Sequence, residues 1–153
     1  MKKNKNNKNY NEGASSTDAL ELYLKNWELA LANLEKIGAL FTSFGYLNFF
    51  FAANLDTLNI LNVNNTGRTP EEVFIYGQEL ISIGYTILWI VSINRYSEEL
   101  FRVNNTEESF LSPAFQQLKD SYLISLFANL YRLDAFIQIY KDSLQNDSDN
   151  TNE

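Results

Sequence analysis

This chain of 153 residues contains no histidine and no cysteine. Without them, no Ser-His-Asp or Cys-His arrangement for nucleophilic catalysis can form. Zinc sites of the usual nitrogen and sulfur type and the Glu-x-x-His motif of di-iron bundles are excluded as well. No glycine-rich phosphate loop is present, because the glycines are isolated from one another. We therefore expect a protein that is not an enzyme and that binds no cofactor and no metal.

Proline and glycine are also scarce, with two and six residues respectively. A many-stranded β fold needs a turn about every ten residues and would use more of both. Hydrophobic residues make up 45% of the chain, and eleven phenylalanines and nine tyrosines supply large side chains for a core. The composition predicts a single all-α domain.

Positive charge is limited, since the net charge is −7 and the pI is about 4.6. A nucleic-acid binder needs a basic face, so we expect no nucleic-acid partner. The one basic cluster holds four lysines between residues 2 and 8, and no apolar stretch follows it. We expect no export by a signal peptide, a cytoplasmic location, and disordered polar tails over residues 1–17 and 146–153.

Capping patterns predict three long helices. Asp18 and Glu21 form a capping box before an apolar periodic segment, and Thr69-Pro70-Glu71-Glu72 forms a second one. Ser112-Pro113 either caps a third helix or kinks a continuous one, with a short extra turn of helix before it. The sequence predicts an antiparallel bundle with helices over about 18–62, 70–103 and 113–145.

Apolar positions alternate at spacings of four and three in all three helices, which predicts heptad-like, lengthwise packing. Small residues and asparagines lie on these seams and predict close helix contact with buried amides that fix the register. If the first two helices turn back directly, residues whose numbers sum to about 132 face each other, for example Gly45 and Ile87. The predicted helix-packing seam consists of Gly38, Gly45, Asn48, Ala52, Gly77, Gly84 and Asn94.

The middle of each helix is apolar on all sides. Charged residues are absent over 37–55, 80–94 and 121–131, and in the antiparallel arrangement these stretches lie at one height. Phe49-Phe50-Phe51 spans most of a helix circumference, so one neighbouring helix cannot cover it. We call this predicted region the apolar waist. Its candidate interface residues are Phe49, Phe50, Phe51 and Trp89.

Three functions are compatible with this pattern. The first is a non-enzymatic interaction or structural protein that self-associates or binds another helical protein through the waist. The second is a membrane-associated protein, although only the first helix approaches the required 20 or so apolar residues, and Asn48 and Asn54 interrupt it. The third is a bundle with an aromatic-lined ligand pocket or a carboxylate site, for which the candidates are Asp56, Glu79 and Asp134.

Overall fold

A computed structural model describes residues 11–105 and 110–150, with side chains for 18–105 and 110–145. Three helices form an up-down-up bundle, α1 (Asn11–Ile60), α2 (Pro70–Asn105) and α3 (Pro113–Asn150). Within these ranges α2 packs against both neighbours, whereas the α1 and α3 backbones do not approach each other. The all-α bundle is confirmed, and α2 is its central helix.

The caps of α2 and α3 follow the predicted chemistry. The Thr69 amide donates to the Glu72 carboxylate at 3.4 Å, and the Glu72 amide donates to Thr69 Oγ1 at 3.3 Å, which completes the capping box. At α3, the Ala114 amide donates to Ser112 Oγ at 3.3 Å. Ser112 therefore caps α3 rather than lying within a kinked continuous helix.

The first helix begins earlier than predicted. Its backbone is helical from Asn11, so Asp18 lies inside α1 and is not its N-cap. Once a helix has formed, each added residue gains a hydrogen bond without a new nucleus, and residues 11–17 contain no proline to stop this extension. The backbone of 146–150 is likewise helical. The remainder of the two predicted tails, 1–10 and 151–153, lies outside the described residues.

The register of α1 against α2 differs from the prediction by about two turns. A Cβ placed on Gly45 would lie 2.6 Å from the carbonyl oxygen of Gly77, and one on Gly84 would lie 2.8 Å from that of Gly38. Opposite residues therefore have numbers that sum to about 122 to 126 rather than 132. The predicted pairing of Gly45 with Ile87 is wrong.

The cause is the connection over residues 61–69, which folds back along α1 instead of turning at its tip. Asn62 adopts a left-handed conformation with φ of 57°, and the Val63 amide donates to the Leu58 carbonyl at 3.0 Å. The Asn64 side chain then donates to Asn59 Oδ1 at 2.7 Å and to the Arg68 carbonyl at 3.0 Å. Consequently α2 begins beside α1 rather than beyond its end.

The seam asparagines do not bridge the two helices. Asn48 and Asn94 are half-buried, and each donates at 2.8 Å to a carbonyl one turn earlier in its own helix. The amide pair that joins two helices is a different one, between α2 and α3. Gln78 is fully buried, and its Nε2 donates to both the carbonyl and the Oδ1 of Asn129 at 3.0 Å.

Candidate interaction surface

The side of α1 that is largely turned away from α2 carries a row of large apolar side chains, interrupted by Asn26 and Asn33. Two members of the row, Leu29 and Phe51, also line clefts between α1 and α2. Buried residues recur every seven positions along the contact with α2, from Leu24 to Ala52. At 100° per residue, the apolar row is centred about 140° around the helix from that line. Each of its side chains is between 45% and 60% exposed. We call this row the α1 stripe, and it consists of Leu22, Leu29, Ile37, Leu40, Phe44, Leu47 and Phe51.

The three consecutive phenylalanines of the predicted interface are divided among different surroundings. Phe49 is half-buried and packs edge-on against Phe74 and Phe136, with ring centroids 5.4 and 5.7 Å away. Phe51 is 51% exposed and belongs to the α1 stripe, while Phe50 is 69% exposed on the flank of the stripe. The bundle thus uses Phe49 to join its three helices and leaves Phe50 and Phe51 uncovered.

Trp89, the fourth predicted anchor, does not lie beside them. It is half-buried on α2, next to Leu88, whose Cγ lies 3.0 Å from the position of a Cβ on Gly38. Phe50 is twelve residues further along α1, about 18 Å at 1.5 Å per residue. The altered register therefore separates Trp89 from the phenylalanines and offsets the uncharged stretch of α1 from that of α2.

A second exposed apolar patch lies on α3. Ile124, Phe127 and Tyr131 are spaced by three and four residues and are each more than 60% exposed. This patch is shorter than the α1 stripe, and the charged residues Arg132 and Asp134 follow it directly. The α1 stripe is therefore the longer uncharged surface of the two.

The spacing of apolar residues in the sequence indicates the α1 stripe. Ile37, Leu40, Phe44, Leu47 and Phe51 follow the same alternation of three and four as the buried seam, one position out of step with Gly38 and Gly45. Sequence reasoning assigned one seam to each helix. Rows one position out of step lie about 100° apart around a helix, and a helix with two such rows requires a neighbour on each of the two faces.

Charged residues concentrate where the start of α1 meets the end of α2. Glu98 is buried, and Arg102 bonds to it at 3.0 Å and also to Glu28 of α1. One turn away, Arg95 pairs with Glu35 at 2.5 Å. Burial raises the pKa of Glu98, an effect that outweighs the opposing hydrogen bond from Arg102. All of these groups except Glu35 line an open cleft of about 430 Å³, together with Lys25 and Glu99, and the positive and negative charges of its lining are equal in number.

The carboxylates considered for chemistry do not form a common site. Asp56 lines a cleft of about 210 Å³ together with Glu71 and Phe74, and Glu79 is exposed and does not line that cleft. Asp134 is exposed and accepts a hydrogen bond from Gln138 at 2.7 Å. Among the side chains described, those of 18–105 and 110–145, no group of three or more acidic residues is placed to hold a metal ion.

Among the described helices, α2 rather than the predicted first helix is the one that is long and apolar enough to span a membrane. Its most apolar window of 18 residues has a mean hydropathy of 1.4, and 33% of that window is buried in the bundle. The central helix of a water-soluble bundle has the same character, so this single helix is weak evidence for a membrane span. No protein-family model, curated protein or solved structure matches this chain, and the surface must be interpreted from its own chemistry.

Proposed function

We propose that this chain is a non-enzymatic helical interaction protein that self-associates or binds another helical protein through the α1 stripe. The observation that carries the proposal is the exposure of seven large apolar side chains along one side of a single helix. Contiguous apolar surface of this extent is uncommon on monomers and is typical of protein-binding sites. Aromatic side chains such as Phe44 and Phe51 supply much of the binding energy once they are desolvated.

The comparison of α1 with α2 supports this proposal. The central helix α2 has apolar residues on two sides and a neighbouring helix on each of them. The described part of α1 also has apolar residues on two sides, but α2 is the one helix whose backbone packs against it. A further helix lying along the α1 stripe would give α1 the environment that α2 already has.

A protein partner is favoured over a lipid surface by the distribution of charge. Helices that lie on membranes carry lysine and arginine along the edges of their apolar face. Between Leu22 and Phe51, α1 carries two lysines, Lys25 and Lys36, and two glutamates, so the stripe has no excess of basic residues. None of the four lies between Ile37 and Phe51, and the whole chain carries a net charge of −7. A membrane-associated protein remains the second candidate, because α2 has the length and hydropathy of a span.

Light scattering with and without detergent tests the proposal. We expect the purified chain to be recovered without detergent and to have a mass at least twice that of the 17.7 kDa monomer. Phe44→Glu should reduce this mass to that of the monomer, because a charge would be buried in the contact. The matched control is Phe127→Glu, which alters an exposed phenylalanine on α3 and should leave the mass unchanged.

Two results would overturn the proposal. The first is a wild-type chain that is monomeric in detergent-free buffer. The second is a mass that responds to Phe127→Glu but not to Phe44→Glu, because association would then use α3. Recovery of the chain only from membranes, and only with detergent, would establish the second candidate in its place. Circular dichroism of each variant would show whether the helices are retained.

A further inference from the structure

The residues along the outer side of α1 have nearly the same order when read from either end. Nine positions spaced by three or four residues run from Leu29 to Leu58, and a polar residue is second from each end. Eight of them are exposed, and Leu58 is half-buried. Phe44 lies at the centre of this order. The nine positions are Leu29, Asn33, Ile37, Leu40, Phe44, Leu47, Phe51, Asn54 and Leu58.

This symmetry matters for an antiparallel pair of identical helices. With Phe44 on a two-fold axis, residues whose numbers sum to about 87 or 88 lie opposite each other. Leu40 then meets Leu47 of the other copy, and Asn33 meets Asn54. Apolar residues face apolar residues over the middle of the contact, the amides face each other one position from its two ends, and Lys36 lies opposite Phe51 of the other copy. An arbitrary apolar stripe would not match its own reversed order.

The exposed area is sufficient for a stable pair. Leu22 lies outside this contact, and the other six side chains of the stripe are 45% to 57% exposed. At about 200 Å² for a large apolar residue, they present on the order of 600 Å² in each copy. A standard specific interface buries about 800 Å² in each partner. The α1 stripe alone therefore provides most of the surface that such a dimer requires.

Resting on the proposed function, we infer that the partner is a second copy of this chain, with the two α1 helices packed antiparallel about a two-fold axis at Phe44. Each α1 then lies between its own α2 and the other α1. A parallel pair would place Lys36 beside Lys36 of the other copy, whereas the antiparallel pair places it opposite an uncharged stretch. Packing of the α1 stripe on the α3 patch of another copy would join two different surfaces, and a two-fold dimer would then have to repeat this contact on both sides of its axis.

The absence of cysteine allows a direct test with single introduced thiols. Phe44→Cys should form a disulfide-linked dimer under mild oxidation, because each copy of that position meets the other near the axis. Leu22→Cys is the control of similar exposure, 60% against 57%. In the antiparallel pair its two copies lie about 65 Å apart, calculated from the helical rise. We expect at least ten times more linked dimer from Phe44→Cys than from Leu22→Cys.

A second pair of variants keeps Phe44 in place. Leu40→Cys mixed with differently tagged Leu47→Cys should give mainly the mixed dimer, because these two positions are opposite each other. Linkage of Leu22→Cys with itself would indicate a parallel pair and overturn the inference. If the wild type is a dimer but neither Phe44→Cys nor the mixture of Leu40→Cys and Leu47→Cys forms a disulfide link, the antiparallel pairing is wrong and the proposed function still stands. A monomeric wild-type chain would overturn the proposed function as well.

Discussion

Gly45 and Gly77 allow the backbones of α1 and α2 to approach more closely than any larger residue would permit. The position of a Cβ on Gly45 lies 2.4 Å from Ile81 Cγ1 and 2.6 Å from the Gly77 carbonyl oxygen. Backbone atoms cannot rotate away as a side chain can, so the contact requires glycine. A glycine within a helix costs roughly 1 kcal/mol relative to alanine, and the close packing offsets that cost.

Gly45→Ala should therefore lower the free energy of unfolding, by roughly 1–2 kcal/mol once the gain in helix propensity is included. The matched control is Gly38→Ala, whose new methyl group would meet only the side chains of Leu88 and Ile87, at 3.0 and 3.1 Å. Urea unfolding at one fixed protein concentration provides the measurement. If Gly45→Ala equals or exceeds the wild type in stability, the backbones are not in close contact.

Glu98 gives the stability a dependence on pH. Because burial raises the pKa of Glu98 in the folded state, ionising it there is harder than in the unfolded chain. Its contribution to stability is complete below the unfolded pKa of about 4.3 and is lost as the pH rises through the raised pKa. We expect the stability of Glu98→Gln relative to wild type to increase with pH above about 4.3 and then to level off.

The control for this prediction is Glu99→Gln, which removes the same charge at a neighbouring position. The side chain of Glu99 is 20% exposed, against 6% for Glu98. Urea unfolding of the wild type and both variants from pH 4 to pH 8 provides the measurement. A constant difference between Glu98→Gln and wild type over this range would contradict the assignment.

Between elements, the pairing of α2 with α3 depends on a buried amide contact. Gln78 donates to Asn129 at two atoms, while no described donor reaches its Oε1. Asn129→Leu removes Oδ1 but keeps the main-chain carbonyl, so Gln78 Nε2 loses one of its two hydrogen bonds inside the bundle. A buried donor left unpaired costs about 1–3 kcal/mol, whereas replacement of both side chains by apolar residues is nearly neutral. We expect Asn129→Leu to destabilise the chain more than the double variant with Gln78→Leu.

This double-mutant cycle isolates the contact between the two elements. Urea unfolding of the wild type, both single variants and the double variant gives a coupling energy, which we expect to be favourable to the wild-type pair. If the two single effects simply add, the amides do not stabilise the pairing. Asn48→Leu is a suitable control, because its amide bonds within its own helix.

The three helices and the first residues of α2 and α3 could be predicted from the sequence, because capping by Thr69 and Ser112 depends on residues only a few positions apart. The register of α1 against α2 could not be predicted from the sequence. The register depends on how the connection over 61–69 folds back through Asn62 and Asn64. The predicted pairing, in which the numbers of opposite residues sum to about 132, assumed that the two helices turn back directly and so did not include this fold. The burial of Phe49 and the exposure of Phe50 and Phe51 depend on the same register.

At the scale of the whole molecule, the surface proposed for association, the α1 stripe, is apolar rather than charged. An association built on this surface should respond weakly to salt, because screening acts on charges. We expect the dissociation constant to change less than about threefold between 0.05 and 0.5 M NaCl, and the heat capacity change of association to be negative. Sedimentation and calorimetry at several temperatures can measure both. A steep dependence on salt would indicate contacts through the charged cleft around Arg95 and Arg102.

The two apolar sides of α1 also affect how the chain is made. On the ribosome, α1 is complete 45 residues before α2 ends, an interval of roughly 2 to 9 seconds at 5–20 residues per second. During that time both apolar faces of α1 are exposed to solvent, and the α1 stripe remains exposed after α2 has packed against the other face. Chaperones that hold apolar helices, or a neighbouring nascent chain on the same message, would shield it during this period.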